Sequence, residues 1–82
     1  MHQLLKIYPN PFGDFISIES MLPLGNRPVL SLFDARGRAI KTILLQNTTQ
    51  QISTTAFGNG LYFYQILTGD GQMIGNGKIL RQ

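Results

Sequence analysis

The chain has no cysteine. That excludes thiolate metal sites and a disulfide scaffold, and it leaves the compartment open. Histidine occurs once, at position 2. A lone terminal His is expected to be inert or vector-derived, and a Ser-His-Asp arrangement is not expected, because a nucleophile needs an oriented base. Charged residues make up 13%, about half the usual share for soluble domains. No apolar run approaches the roughly 20 residues of a membrane-spanning helix. No window of a dozen residues carries a clean helical stripe. At 82 residues the chain is one small domain, able to bury about 60–65% of its unfolded surface. With 43% hydrophobic residues it is globular rather than disordered.

The few charges do not assemble into chemistry. Of four carboxylates, Asp14, Asp34 and Asp70 sit at turn positions, where Asp bonds nearby backbone. Their spacing, with Glu19, suggests no glycosidase pair and no metal cluster. Gly69-Asp70-Gly71 precedes a strand pattern rather than a helix N-terminus, so it is no phosphate loop. The expectation is a non-enzymatic domain with no cofactor. The net charge is +3, and only Arg36, Arg38 and Lys41 lie close together. That density is too low for a nucleic-acid surface. A solvated hairpin explains the trio more simply than a docking patch.

What is present is dense β punctuation. Tyr8-Pro9-Asn10-Pro11 fixes two φ angles and removes two backbone donors. It is a stiff entry corner that neither a helix nor a central strand can cross. Turn signals fall at Pro9–Gly13, Pro23–Pro28, Asp34–Gly37, Gln46–Gln50, Gly58–Gly60, Gly69–Gly71 and Gly75–Gly77. The runs between them predict strands at Leu4–Tyr8, Phe15–Glu19, Val29–Asp34, Arg38–Leu45, Gln51–Ser53, Leu61–Leu67 and Ile74–Leu80. Ile16 and Ile18 share one face, Leu30 and Leu32 point inward, and Ile40 is carried by the fourth strand. Leu61–Leu67 is apolar on both faces, which suits a central strand. The fold class is all-β: an immunoglobulin-like antiparallel β-sandwich of about seven strands.

Asp34-Ala35-Arg36-Gly37 predicts a hairpin with a glycine bulge, and Gly69-Asp70-Gly71 a second hairpin. Ile52 and Phe57 are expected to plug the core on either side of a corner. Tyr62 in Gly60-Leu61-Tyr62 has two readings: the tyrosine corner of immunoglobulin-like sandwiches, with its hydroxyl tied to upstream backbone and Tyr64 in the cysteine position, or a plain half-buried strand residue. Phe12, Phe33, Phe63 and Tyr64 are the only candidates for an aromatic binding patch, and core packing accounts for most of them.

The order of motifs carries a resemblance. Tyr8-Pro9-Asn10-Pro11 is followed by Asp14-Phe15-Ile16-Ser17-Ile18, then by Leu32-Phe33-Asp34-Ala35-Arg36-Gly37-Arg38-Ala39-Ile40. Ile52 leads to Phe57-Gly58-Asn59-Gly60-Leu61-Tyr62-Phe63, and Lys78-Ile79-Leu80-Arg81-Gln82 ends the chain. This resembles the C-terminal sorting domain of the type IX (Por) secretion system of Bacteroidetes, the type A sorting-domain family. It extends from about Leu5 to Gln82. Phe57 departs from a usual Leu, and Asn76-Gly77 suggests a flexible last strand.

The resemblance implies a non-catalytic address label. Its partners would be an attached cargo protein, the outer-membrane type IX translocon and a sortase-like peptidase that removes the domain. Its route would be the periplasm, then the outer membrane, cell surface or medium. Carried over by motif are Pro9, Asn10, Pro11, Gly37, Arg38, Gly60 and Tyr62, with Lys78, Ile79, Leu80, Arg81 and Gln82 as the recognition segment. Residues 1–4 are expected to be a leader or expression remnant, with Met1 vector-derived, and 5–82 the domain, a piece of a larger protein with no signal peptide opening it. The last strand is expected to be an open edge, captured by strand addition with charge contacts from Lys78 and Arg81. Deleting Lys78–Gln82 would then stop export while sparing the fold. An open edge also predicts a weak homodimer through edge strands. The alternative function is an immunoglobulin-like adhesion or carbohydrate-binding module.

Overall fold

The computed structural model describes residues 5–20 and 27–82. Expectations for residues 1–4, including His2 and Leu4, and for the 23–26 part of the Pro23–Pro28 turn lie outside the described residues. Seven strands follow in order: β1 Leu5–Tyr8, β2 Phe15–Ser20, β3 Val29–Phe33, β4 Ala39–Leu44, β5 Thr49–Ser53, β6 Gly60–Leu67 and β7 Met73–Arg81. No helix occurs among the described residues. Each expected strand is present, with ends shifted by one or two residues.

The strands form two antiparallel sheets, ordered β1-β2-β5 and β4-β3-β6-β7. β4 lies beside β3 rather than in the first sheet, which departs from the constant-type immunoglobulin arrangement of four and three strands. Each sheet turns one side inward, because side chains alternate along a strand. Ile16, Ile18, Leu30, Leu32, Ile52, Ile66 and Ile79 fill the space between, all at most 5% exposed. Leu45 and Phe12 close the ends.

The β3–β4 turn forms as its residues dictate. Asp34 Oδ1 accepts from the backbone N–H of Arg36 (2.9 Å) and of Arg38 (3.0 Å). Gly37 takes φ +85°, where a Cβ is disfavoured. Pairing then skips Ile40: Leu32 faces Lys41 and Phe33 faces Ala39. Ile40 is thus the extra residue of a bulge and is exposed, so Ile43 and Leu45 supply the inward contacts of this segment. The β6–β7 turn repeats the device, with Gly71 at φ +91° and the Thr68 hydroxyl donating to Asp70.

β6 is central in its sheet, as its apolar character predicts, pairing with both β3 and β7. Yet only one of its faces is buried. Leu61 and Phe63 lie on the outer face and are exposed.

Candidate functional site: the clasped terminal strand

β7 is an edge strand, but its last residues are not open. Tyr8-Pro9 and Asn10-Pro11 are both cis peptides, and the corner they form folds against Lys78–Gln82. The two prolines offer no N–H, so the Asn10 side chain takes the place of a strand peptide group. Its Oδ1 accepts from Leu80 N–H at 3.0 Å, and its Nδ2 donates to the Lys78 carbonyl at 3.4 Å. Phe12 then pairs in parallel across from Arg81. Phe12 N–H donates to the Leu80 carbonyl (2.8 Å), and Gln82 N–H donates to the Phe12 carbonyl (3.0 Å). The expected open edge is therefore already covered over Leu80–Gln82, because residues 68 to 70 positions upstream fold back onto it.

Side chains divide by face. Ile79 is buried in the core. Arg81 turns inward: its Nε donates to the Thr54 carbonyl (3.2 Å) and Nη1 to Asn59 Oδ1 (3.0 Å), with Nη2 3.5 Å from Asp14 Oδ1. An Arg so engaged is a brace for two loops, β1–β2 through Asp14 and β5–β6 through Thr54 and Asn59, not the outward charge expected of it. Lys78, Leu80 and Gln82 remain exposed.

An aromatic cluster supports the corner from below. Ring centroids lie 6.3 Å apart for Phe12–Phe57, 5.9 Å for Phe12–Tyr62 and 5.1 Å for Phe57–Tyr62. Phe12 is 2% exposed, so it is core and not part of an aromatic binding patch. Tyr62 resolves in favour of the tyrosine corner: its hydroxyl donates to the Gly58 carbonyl at 2.6 Å. Ile52 and Phe57 pack where expected.

Pro9, Asn10, Pro11, Gly60, Tyr62 and residues 78–82 thus converge on one end of the sandwich. Gly60, at φ +138°, pairs opposite Arg81. Gly37 and Arg38 belong to a turn at the same end, where Asp34, Arg36 and Arg38 share a depression with Asn59, Gly60 and Tyr62. Arg38 Nε bonds Asp34 Oδ2 at 3.1 Å. The backbone N–H of Arg38, followed by that of Arg36 and the Arg38 side chain, holds the Asp34 carboxyl below its ordinary range. Arg36 and Lys41 are exposed on this hairpin.

Two positions carry roles not legible in the strand pattern. Thr54 is fully buried; its hydroxyl donates to the Gly13 carbonyl at 2.6 Å, and its N–H to the Asp14 carbonyl at 2.8 Å. Only its place after a short strand hinted at a corner. Gly77 does not simply loosen β7. A Cβ there would stand 2.8 Å from the Tyr64 ring, so the glycine makes room for that ring to lie across the strand. Among the described residues no group of three or more His, Cys, Asp or Glu is placed to hold a metal.

No match was found among curated proteins. The family model described as the secretion system C-terminal sorting domain matches residues 6–80, nearly the whole chain. That range runs from β1 through the Pro9–Pro11 corner to Leu80 in the terminal strand, and the chain belongs to the type IX secretion C-terminal sorting domain family.

Proposed function

We propose that residues 5–82 are the sorting unit of a secreted protein, carrying the cargo joined to their N-terminal side through the outer-membrane type IX translocon. A sortase-like peptidase then removes the unit at the cell surface, cutting upstream of β1. The supporting observation is the family match over residues 6–80, together with a terminal strand held at the sandwich edge with Lys78 and Leu80 outward. Lys78–Gln82 is the segment the machinery reads, and the Pro9-Asn10-Pro11 corner holds it in shape. With the backbone of Leu80 engaged by Asn10 and Phe12, side chains rather than strand addition distinguish this segment. Self-association through an edge is left to Met73–Gly77 and to the other edge strands, β1, β4 and β5.

The test is a fluorescent reporter with a periplasmic signal and this segment at its C-terminus, in a bacterium with the type IX system. Surface or medium fluorescence that disappears in a translocon mutant is expected. A reporter that folds but stays in the periplasm would refute the reading and favour a binding module. Deleting Lys78–Gln82 is a poor substitute, because it removes Ile79 from the core.

A further inference from the structure

Among the described residues no layer covers the outer face of the four-stranded sheet, and its residues are not those of an ordinary wet face. Register places Phe33, Phe63 and Lys78 in one row across β3, β6 and β7, with Leu61 and Leu80 in the next. Leu61 is 39% exposed, Phe63 38% and Leu80 37%. On the other side runs a polar row, Thr42, Ser31, Gln65 and Asn76. Between them lies a groove of about 400 Å³ lined by Phe33, Phe63, Gln65, Asn76 and Lys78, among others. An apolar patch with a polar border on a small protein marks an interaction surface.

Charge identifies the occupant. Lys78 makes no ion pair among the described residues. The outward positions of β3, β4, β6 and β7 hold no carboxylate at all. Asp14 lies by Arg81 and Asp34 by Arg38, while Glu19 is on the other sheet and Asp70 in a turn. A second copy docked symmetrically through this same face would bring another carboxylate-free surface against Lys78, so that self-pairing leaves this charge unanswered. A lipid surface needs a cluster of several cations, and this face has one.

Resting on the proposed sorting role, we propose that the Phe33–Leu61–Phe63–Lys78–Leu80 face docks onto a protein of the export machinery. The docked segment is apolar, and its carboxylate meets the Lys78 ammonium. This explains why a segment whose backbone is already clasped still offers information: Lys78 and Leu80 are the two residues of β7's last turn of sequence that point into this patch, while Ile79 and Arg81 point away. Phe63 at the patch centre is the anchor, and Lys78 sets the orientation.

The experiment uses the export reporter with Phe63→Asp, Lys78→Glu and Lys78→Arg, plus Gln51→Asp on the other sheet as a control. A photoreactive phenylalanine analogue at position 63 reports contact directly. Wild type, Gln51→Asp and Lys78→Arg are expected to be exported. Phe63→Asp and Lys78→Glu should fall about tenfold or more, as for anchor residues, with unchanged melting temperature, and the photoprobe should crosslink a machinery protein. If wild type is exported and Phe63→Asp and Lys78→Glu are exported equally well, the docking face is wrong and the sorting role stands. If wild type is retained, both fall. If Phe63→Asp lowers the melting temperature, the photoprobe decides, since it keeps the ring: no protein adduct overturns the proposal. Lys78-dependent binding to anionic phosphatidylglycerol vesicles without a protein adduct would overturn it in favour of a membrane.

Discussion

Asn10→Ala isolates the clasp. The substitution removes one acceptor at 3.0 Å from Leu80 N–H and one donor at 3.4 Å from the Lys78 carbonyl. Both groups lie near the surface, so water replaces the lost partner and no buried orphan remains. A net hydrogen bond is then worth about 0.5–1.5 kcal/mol. The longer contact sits near the limit of a hydrogen bond and adds little, so the expected loss is about 1 kcal/mol. For a domain of this size that lowers the melting temperature by about 4–8 °C. Amide hydrogen exchange locates the effect. Leu80 should exchange several-fold to about tenfold faster, since a loss of about 1.4 kcal/mol in local opening corresponds to tenfold. Gln82 keeps its bond to the Phe12 carbonyl and should retain most of its protection. Unchanged Leu80 exchange would mean that Asn10 does not hold the strand. Equal loss at Gln82 would mean that the whole corner detaches, and the division of labour between Asn10 and Phe12 would be wrong.

Tyr62→Phe removes the hydroxyl bond to the Gly58 carbonyl while keeping the ring contacts. It should cost about 1 kcal/mol, read as a lower urea midpoint with unchanged slope, and no change at all would dismiss the tyrosine corner as a stabilising tie. Asp34 sets an acid dependence. Its carboxyl is held below the ordinary value by the Arg38 and Arg36 backbone N–H groups and the Arg38 side chain, so its contribution is complete above about pH 4 and lost as pH falls through the depressed folded value. Asp34→Asn should therefore flatten the fall in urea midpoint as the pH drops below about 4. Some slope should remain, because the Thr68 hydroxyl, with nearby backbone donors, holds Asp70 low as well; a variant as acid-sensitive as wild type would refute the assignment to Asp34.

Local chemistry made much of this fold legible. Glycine at the left-handed position of the Asp34–Gly37 turn, the alternation of Leu30 and Leu32, and the ordered spacing of turns depend on neighbours within a few residues, and all appear as expected. Tyr62 was legible as one of two choices, because a Gly-x-Tyr entry allows either a tied or a free hydroxyl. Ile40 was legible as a residue of the fourth strand, but not as the residue of its bulge. Whether a residue falls inside or on a bulge depends on the partner strand's register, which its own sequence does not carry.

The site was legible only as separate pieces. The sequence by itself determined that Pro9 and Pro11 make a stiff corner without donors and that the described residues form seven short strands. Only the tertiary structure decided that the corner folds onto that last strand, because the pairing joins residues about 70 positions apart through a side chain acting as backbone. It also decided which charges face out. Arg81 and Lys78 are similar cations three residues apart in sequence, yet Arg81 is consumed by Thr54, Asn59 and Asp14 while Lys78, beside an apolar groove, makes no ion pair among the described residues. Strand parity separates their faces, and the two loops that meet Arg81, β1–β2 and β5–β6, come from parts of the chain distant from it.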